Sequence, residues 1–466
     1  MTAGAGDAAA LLRRAGLAAD AGAAWIAAAP AASGDFRRDA DAFSRFWRMG
    51  AALKDRLPRK PARSEAEQAA AAHILDAGRA ARERFLGAHA RAVYAVLTSD
   101  RAKFVRVEAL IFDAARVVPG LTPTRDEVAR EDGIQRDKDG VEIDQGIFLA
   151  HVLADPAAGA HLCHAMLLPR PDALARQAEF AARGALDLGV ATVAREGKAA
   201  IVTLRNPRFL NAEDEATLDL QEAAIDLAIL DPKSEIAVLR GDVVEHAKYR
   251  GRRVFSAGIN LTHLYHGKIS YAWYIRRDLG LVNKLYRGLA RPDADPDELA
   301  GGTIEKPWIA AVDAFAIGGG CQLLLVMDYV LAARDAYMTL PARKEGIIPG
   351  AANLRLTRFT GGRIARQAIL YGRRLDCDSA EGRLICDEIA PPETMDAALR
   401  QVIENFTSSG VVSAAGNRRA LRVGEEPLDL FRRYMAVYAR EQAYCHFSPA
   451  LIANLERYWN AQHRAA

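Results

Sequence analysis

Two patterns of apolar residues follow one another along this chain, and the change falls near residue 188. Between residues 40 and 183 apolar side chains recur every three or four positions, most regularly over residues 68–96, which predicts amphipathic helices. Residues 119–144 interrupt them with turn signals such as Pro119 followed by Gly120. After Gly189 apolar and polar residues alternate on either side of a turn at Glu196 and Gly197, which predicts a pair of strands.

Residues 304–350 are the stretch around which the second half of the chain is organised. An apolar run at residues 307–312 predicts a buried strand, three glycines follow at 318–320, and the apolar residues 321–333 predict a buried helix. Glycines allow close approach to the backbone, and a helix N-terminus has unpaired N–H groups, so this turn is suited to a phosphate or a developing oxyanion. Another apolar strand runs into a glycine at residues 254–258. Two backbone donors from these two turns would make an oxyanion hole.

These motifs resemble the crotonase (enoyl-CoA hydratase/isomerase) superfamily. The likeness lies in FSAGINL at residues 255–261, AFAIGGGCQL at 314–323 and IIPGAANLRL at 347–356, and it covers roughly residues 189–380. It implies an α/β fold with a crotonase-like ββα spiral core, preceded by a helical N-terminal domain and followed by C-terminal helices. It also implies that the N–H groups of Ile259 and Gly319 hold the enolate oxygen of an acyl-CoA thioester.

The two glutamates with which hydratases of this family handle water have no counterpart here. Their positions carry Gln322 and Ala342, and neither an amide nor a methyl group accepts a proton near neutral pH. Ordinary hydration is therefore not expected. Glu345 lies three residues beyond the second position and is a carboxylate that could partly compensate.

The N-terminal extension and the segment at residues 269–284 narrow the resemblance to crotonase relatives that are dioxygenases needing no metal, flavin or haem. The implied substrates are 3,5-dihydroxyphenylacetyl-CoA and O2. The Cα–H is removed, the carbanion meets oxygen, and the peroxide cleaves the thioester to release CoA and 3,5-dihydroxyphenylglyoxylate. The sequence does not assign the group that removes the proton.

Three further side chains are expected to take part in catalysis. The amide of Gln322 can donate a hydrogen bond to a peroxide or to a phenol. Arg277 is expected to face the substrate, with Arg276 left open because the segment is one residue shorter than in those relatives; a surface ion pair with Asp278 or Glu213 is the alternative for Arg277. Glu213 is expected to bind a ring hydroxyl. It also follows Asn211, a plausible N-cap, so a place in the first turn of a helix would explain it equally well.

Other candidates are expected to contact the acyl-CoA. A basic stretch at residues 246–253 directly precedes the glycine turn at residues 256–258, called the SAG turn below. Cations at this place could bind the phosphates of CoA, and a solvated charged loop is the alternative. The predicted binding residues are Arg208, His246, Lys248, Tyr249, Ala257, Gly258, Asn260 and Gly320.

Length and composition set the remaining expectations. The length of 466 residues predicts about three domains, divided here at about residues 188 and 380, and residues 381–466 have a helical pattern. The crotonase resemblance implies that this last region covers the site and assembles a trimer or a dimer of trimers. A net charge of +3 argues against general binding to nucleic acid or membrane surfaces. Five scattered cysteines and the absence of a long apolar run predict a cytoplasmic protein with no disulfide framework and no membrane span. His151, His161 and His164 lie among apolar residues, so no metal site is predicted.

Two other functions remain open at this point. One is a crotonase-type hydrolase or isomerase in which Glu345 or Glu213 moves a proton and oxygen takes no part. The other is a non-catalytic scaffold, which would need neither oxyanion turn nor Arg277.

Overall fold

A computed structural model describes residues 5–299, 302–409 and 412–464. The chain divides into two compact units. A helical unit comprises Met1–Leu162 and Met435–Phe447, and a sheet unit comprises Cys163–Tyr434 and Ser448–Ala466. The domain boundaries expected from the sequence stay a prediction.

The helices follow the periodic segments of the sequence. Those from the start of the chain to the first strand are α1 (Ala5–Arg14), α2 (Ala19–Ala27), α3 (Phe36–Lys54), α4 (Glu65–Leu97), α5 (Val107–Val117), α6 (Arg125–Arg130), α7 (Ile143–Ala154), α8 (Pro156–Leu167) and α9 (Pro171–Arg183). The helix expected at residues 68–96 is thus confirmed as α4, which starts at a reciprocal cap between Ser64 and Glu67. Its buried face packs on α3, where the Trp47 indole donates to the carbonyl of Gly78 over 3.1 Å.

The sheet unit contains all the strands of the described chain. They are β1 (Ala185–Asp187), β2 (Ala191–Glu196), β3 (Ala199–Leu204), β4 (Ile236–Gly241), β5 (Leu289–Ala290), β6 (Thr303–Ile304), β7 (Trp308–Val312), β8 (Phe315–Ile317), β9 (Tyr329–Ala333), β10 (Tyr337–Thr339), β11 (Leu375–Asp376) and β12 (Glu388–Ala390). The main sheet has the order β1-β2-β3-β4-β7-β9-β12; a second has the order β11-β10-β8, and β5 pairs with β6. The hairpin expected at Glu196 and Gly197 is confirmed as the antiparallel pair β2 and β3.

Helices lie between and after these strands. They are α10 (Glu215–Leu230), α11 (Leu261–Tyr265), α12 (Tyr271–Arg276), α13 (Asn283–Arg287), α14 (Gly319–Leu324), α15 (Ala342–Glu345), α16 (Ala352–Arg366, kinked at Gly361), α17 (Met395–Thr407), α18 (Val412–Glu425), α19 (Leu428–His446) and α20 (Pro449–Trp459). Segments of π-helix, Arg277–Val282 and Gln367–Tyr371, follow α12 and α16. The predicted α/β class with helical flanks is confirmed.

The prediction of one buried helix over residues 321–333 is wrong. Helix α14 ends at Leu324, and the second half of the apolar run is the buried strand β9, which pairs with β7 in parallel. Both halves are buried, and a continuous apolar run does not distinguish a buried helix from a buried strand. A further strand, β8, also separates β7 from the glycines.

Strands β3, β4, β7, β9 and β12 run parallel, and this arrangement places the site. The chain leaves β4 and β7, which are neighbours, at the same edge of the sheet. Ligand sites of open α/β sheets form beyond the carboxyl ends of such strands. The segments that follow β4 and β7 hold the two glycine turns.

A buried ion cluster ties α10 to the segment that carries Arg277. The ammonium of Lys284 lies 2.7 Å from Glu222 Oε1 and 2.8 Å from Asp226 Oδ2, and the three side chains are almost completely buried. Gly280, in the π-helical segment, leaves room for this contact, because a Cβ there would lie 3.1 Å from Glu222 Oε1. Burial raises the pKa of Asp226 to about 6, and Lys284 opposes that rise.

We predict that Lys284→Met lowers the free energy of unfolding by about 3–5 kcal/mol at pH 8, because it removes the ammonium that both buried carboxylates share. Glu222 keeps a guanidinium nitrogen of Arg170 at 3.5 Å, whereas Asp226 loses the charge that opposes its burial. Urea unfolding followed by circular dichroism measures the loss. Lys268→Met removes an exposed lysine and should change the value by less than about 0.5 kcal/mol. Equal losses in the two variants would contradict a specific role for the cluster.

Candidate active site

The two glycine turns pack backbone against backbone. Ser256 and Ala316 form a parallel bridge, and the N–H of Ile317 donates to the carbonyl of Ser256 over 3.0 Å. Gly258 has a φ of 77°, and a Cβ there would lie 2.6 Å from the carbonyl oxygen of Ile317 and 2.8 Å from the nitrogen of Gly319. Such distances are too short for any side chain. Glycine at 258 is therefore required both by conformation and by space.

The N–H groups of Ile259 and Gly319 are available to donate hydrogen bonds to a ligand. The N–H of Glu213 donates to the carbonyl of Gly258 over 2.7 Å, and that of Asn260 donates to the carbonyl of Glu213 over 2.8 Å. Because successive backbone groups of a strand point to opposite sides, the N–H of Ile259 points away from Glu213. Gly319 is the first residue of α14 and has no intrahelical acceptor. In the part of the chain that the structure describes, neither group donates to a protein acceptor. This arrangement has the form of an oxyanion hole.

Arg277 gathers the other predicted catalytic side chains beside Gly319. Its guanidinium donates to both carboxylate oxygens of Glu213 over 2.8 and 2.9 Å, to Gln322 Oε1 over 2.8 Å, and to the carbonyl of Gly319 over 2.9 Å. Glu213 and Arg277 are 1% and 2% exposed. A Cβ on Gly319 would lie 2.3 Å from Glu213 Oε2, so the carboxylate also depends on a glycine.

Arg276 and Arg277 point in different directions, because the helix changes from α to π between them. Arg276 ends α12 and pairs with Glu215 and Asp219 on α10, whereas Arg277 starts the π-helical segment and enters the site. Inserted π turns are frequent at functional sites. The ion pair between Arg277 and Glu213 that was considered as an alternative exists, but it is buried and not on the surface.

The explanation of Glu213 by helix capping is wrong. Helix α10 begins at Glu215, and its cap is Asp214, which accepts from the N–H groups of Ala216 and Thr217. Glu213 lies outside the helix, in a parallel bridge to Ile259. Asn211 is no cap either: it has a φ of 54°, and its amide donates to the carbonyls of Asp242 and Val254 over 2.8 Å. The cap therefore lies three residues later than the sequence predicted, at Asp214 and not at Asn211.

Two residues close to Gln322, Asp278 and Gly350, are not among the catalytic or binding residues predicted from the sequence. Asp278 is buried, and its Oδ1 lies 3.5 Å from a guanidinium nitrogen of Arg277. Gly350 has a φ of 45°, and a Cβ there would lie 2.4 Å from Gln322 Oε1 and 2.8 Å from Asp278 Oδ2. Gly350 is the glycine of the motif IIPG, so the family resemblance could have drawn attention to it.

Glu345 ends α15, close to the glycine turn. Its side chain is 4% exposed, and its carboxyl has no hydrogen-bond or ion-pair partner within the described residues. Its Oε1 lies 3.9 Å from the point that a Cβ of Gly318 would occupy. Burial raises the pKa of Glu345 to about 7. Ala342 starts the same short helix and is buried.

The expected acyl-CoA contacts fall into two groups around the SAG turn. Lys248 lies over the ring of Tyr249 at 5.2 Å, and His246 lies 5.6 Å from that ring. Tyr249 and Ala257 pack on a small apolar cluster that includes Phe315. Arg208 is exposed and lies over the ring of Phe209, which faces His263 at 5.2 Å.

Asn260 and Gly320 are placed by contacts that build the turns. Asn260 caps α11 and donates to Asp214 Oδ2 over 3.0 Å, the oxygen that also faces His263 Nδ1. A Cβ on Gly320 would lie 2.7 Å from the carbonyl oxygen of Ser256. A substrate contact of either residue stays a prediction, as it does for the other binding candidates.

The histidines of the helical segments have separate partners. His151 faces Glu83 at 2.7 Å, His161 faces the hydroxyl of Tyr94 at 2.8 Å, and His164 faces the carbonyl of Arg291 at 3.0 Å. Across residues 5–299, 302–409 and 412–464, no group of three or more histidine, cysteine, aspartate or glutamate side chains is arranged to hold a metal ion.

In the same ranges, no single helix is long and apolar enough to cross a membrane. Ile143–Ala154 and Pro156–Arg183 reach that length and apolarity only together, as a pair bent by 109°.

Comparison with known proteins places the chain in a family. The sequence profile of the family described as enoyl-CoA hydratase/isomerase matches residues 194–429, half of the chain. The (3,5-dihydroxyphenyl)acetyl-CoA 1,2-dioxygenase of Amycolatopsis orientalis is 47% identical over 393 residues, which cover 84% of this chain and 89% of that protein. This chain belongs to the enoyl-CoA hydratase/isomerase family. The predicted crotonase-like core is thereby confirmed.

Two more distant relatives match between half and three-fifths of the chain. The short-chain-enoyl-CoA hydratase of Clostridium acetobutylicum is 27% identical over 241 residues, which cover 51% of this chain and 83% of that protein. The crystal structure of an enoyl-CoA hydratase from Mycobacterium avium subsp. paratuberculosis superimposes with a TM-score of 0.48 at 20% identity, covering 58% of this chain and 98% of that one.

We predict that the pH dependence of stability reveals the buried carboxyl of Glu345. Its pKa is raised from 4.5 to about 7 on folding, so the folded state holds the proton more tightly. The free energy of unfolding should therefore fall as the pH rises from about 4.5 to 7, by about 2–4 kcal/mol relative to Glu345→Gln. Urea unfolding of both proteins between pH 4.5 and 8 measures this difference.

Glu393→Gln is the matched control, because Glu393 is exposed. Its stability should follow that of the unaltered protein at every pH. A constant difference between Glu345→Gln and the unaltered protein over the whole range would show that Glu345 titrates normally.

Proposed function

We propose that the protein is a dioxygenase that converts 3,5-dihydroxyphenylacetyl-CoA and O2 to 3,5-dihydroxyphenylglyoxylate and free CoA, without a metal or organic cofactor. The observation that carries the proposal is the pair of available N–H groups on Ile259 and Gly319 beside the cluster of Glu213, Arg277 and Gln322. The similarity to the dioxygenase of Amycolatopsis orientalis over most of both chains supports the substrate and the reaction.

The two N–H groups would stabilise the enolate that forms when an arylacetyl thioester loses a Cα proton. Negative charge then develops on the thioester oxygen, and fixed backbone donors bind that oxygen more strongly than they bind the neutral carbonyl. Loss of one such donor typically costs about 2.7–4 kcal/mol in the transition state. The enolate is electron-rich at Cα, and this is the carbon that would react with O2.

The charged cluster suits the hydroxyl groups of the ring. Both oxygens of Glu213 are bound by Arg277, but a carboxylate oxygen accepts more than one hydrogen bond, so a phenol can still donate to it. Gln322 gives its carbonyl to Arg277 and keeps its amide NH2 as a donor for a phenol or peroxide oxygen. Neither Gln322 nor Ala342 can activate water as a hydratase glutamate does, which argues against hydration.

A crotonase-type hydrolase or isomerase is the second candidate, and the buried carboxyl of Glu345 favours it, because such a group could move a proton without oxygen. We extend the main proposal to a homo-oligomer, a trimer or a dimer of trimers assembled through the C-terminal helices, on the strength of the family resemblance. The cytoplasmic location stays a prediction.

We predict that protein freed of metals by chelation places both atoms of one O2 molecule in the arylglyoxylate. Incubation with 3,5-dihydroxyphenylacetyl-CoA under ¹⁸O2, followed by mass spectrometry of the product, tests this. Free thiol, measured with a thiol reagent, should appear in step with oxygen uptake and should cease under nitrogen. Thiol release at an equal rate without oxygen would favour the hydrolase, and no thiol release at all would favour a scaffold.

We also predict that phenylacetyl-CoA has a kcat/KM at least about 100-fold lower than the dihydroxy substrate, because a site built to bind a hydroxyl is left with unpaired polar groups when the hydroxyl is missing. Oxygen uptake measures both rates. 3,5-Difluorophenylacetyl-CoA is the control: it has a more acidic Cα but no donor, and it should also be poor. A fast difluoro compound would show that carbon acidity, and not ring recognition, sets the preference.

A further inference from the structure

Glu345 has a buried carboxyl beside the glycine turn at residues 318–320. It is 4% exposed, and no hydrogen-bond donor or cation within the described residues meets it. A buried carboxyl without such partners is costly to keep, since its charged form loses hydration and gains nothing in return. Unpartnered ionisable groups of this kind are frequent at functional sites.

The position of this carboxyl relates it to both oxyanion turns. Its Oε1 lies 3.9 Å from the point that a Cβ of Gly318 would occupy, and the Cα of Gly258 lies 3.9 Å from the same point. Gly318 directly precedes Gly319, and Gly258 directly precedes Ile259. The carboxyl is therefore close to the place where the two turns meet, and glycine at 318 leaves the space in front of it open.

Helix α20 packs against the short helix that carries this carboxyl. Asn454 donates to the carbonyl of Arg343 over 3.2 Å, and a Cβ on Gly346 would lie 2.9 Å from the Cα of Leu451. Because α15 is only four residues long, these contacts with α20 fix its orientation. Glu345 is thus part of a rigid arrangement.

Glu213 is a poorer candidate for proton transfer than Glu345. Both of its oxygens already accept hydrogen bonds from the guanidinium of Arg277, which fixes this carboxylate for binding and orientation. Gln322 cannot accept a proton. Among the candidate proton acceptors Glu213, Gln322 and Glu345, the oxygens of Glu345 accept no hydrogen bond from the described residues.

We propose that Glu345 removes the Cα proton of the substrate in the dioxygenase reaction, an inference that rests on the proposed function. The Cα–H bond breaks, its electron pair forms the enolate whose oxygen is held by Ile259 and Gly319, and the proton passes to a carboxylate oxygen of Glu345. When the thioester is later cleaved, this proton is transferred to the CoA thiolate, which leaves as the thiol. The carboxylate is regenerated and O2 is the oxidant. The second Cα proton is released to solvent when the O–O bond breaks to give the ketone, and the product leaves as the α-keto carboxylate.

The electrostatics agree with this role. Burial raises the pKa of Glu345 to about 7, and a general base is most effective when its pKa lies near the working pH.

Anaerobic hydrogen exchange tests the inference, because it follows proton removal without the later steps. The full-length protein and 3,5-dihydroxyphenylacetyl-CoA are mixed in D2O under nitrogen, and loss of the Cα proton signal is followed by NMR, with the reaction lacking protein as background. Glu345→Gln should slow the exchange by about 100-fold or more, which is the usual contribution of a general base. Its Kd for the substrate, measured by calorimetry under nitrogen, should stay within about threefold.

Two further variants keep the test decisive. Glu393→Gln alters an exposed glutamate and should exchange at the unaltered rate. Glu345→Ala should lose exchange and regain part of it when formate is added, whereas a purely structural role would give no rescue. This variant decides the question if Glu345→Gln fails to fold.

The outcomes separate the inference from the proposed function. If the unaltered protein neither exchanges the Cα proton nor takes up oxygen, the proposed function is wrong. If the unaltered protein does both and Glu345→Gln exchanges at the same rate, the role of Glu345 alone is wrong. Slow exchange in Glu345→Gln with unchanged binding, together with formate rescue of Glu345→Ala, supports the inference.

Discussion

The site depends on the close contact of two glycine turns. Parallel pairing of β4 and β7 sends the chain out of the sheet twice at the same edge, and the bridge between Ser256 and Ala316 carries the two segments on side by side. At this separation a Cβ on Gly258 or Gly320 would meet backbone atoms within 3 Å. The contact is made by backbone alone, so the donors of Ile259 and Gly319 are held by the sheet itself. This is the kind of preorganisation that lets fixed dipoles stabilise a developing charge without rearranging.

The acidic groups around this contact are in two different environments. Glu213 is buried but has the guanidinium of Arg277 against both oxygens, and breaking such a pair would leave an uncompensated charge. Glu345 is equally buried and has no such partner, so burial raises its pKa. Two carboxyls whose surroundings differ in this way are suited to different tasks. The pair with Arg277 fits binding and orientation, and the unpaired group fits proton transfer.

The sequence predicted this site in part. The glycine motifs and the family resemblance led to Ile259, Gly319, Arg277 and Gln322, because close backbone approach limits which residues can occupy such turns. It did not predict the end of α14 at Leu324, since an apolar run suits a buried helix or a strand. It also did not predict the cap at Asp214, since Asn211 and Asp214 are both residue types that cap helices. Gly350 brings the side chains of Gln322 and Asp278 together through tertiary packing between segments about 30 to 70 positions apart, which no local pattern records.

The replacement of both hydratase glutamates changes what an enolate in this site can do. In a hydratase a carboxylate beside the enolate delivers water and returns a proton. Here Gln322 is bound to Arg277, and Ala342 is a buried methyl group, so neither position supplies water or a proton to the carbanion. An enolate that is stabilised but not promptly protonated persists long enough to react with another electrophile. If that electrophile is O2, the carbanion itself supplies the electrons, so the protein does not need to activate the oxygen. The same backbone scaffold can therefore support oxidation once the groups that handle water are removed.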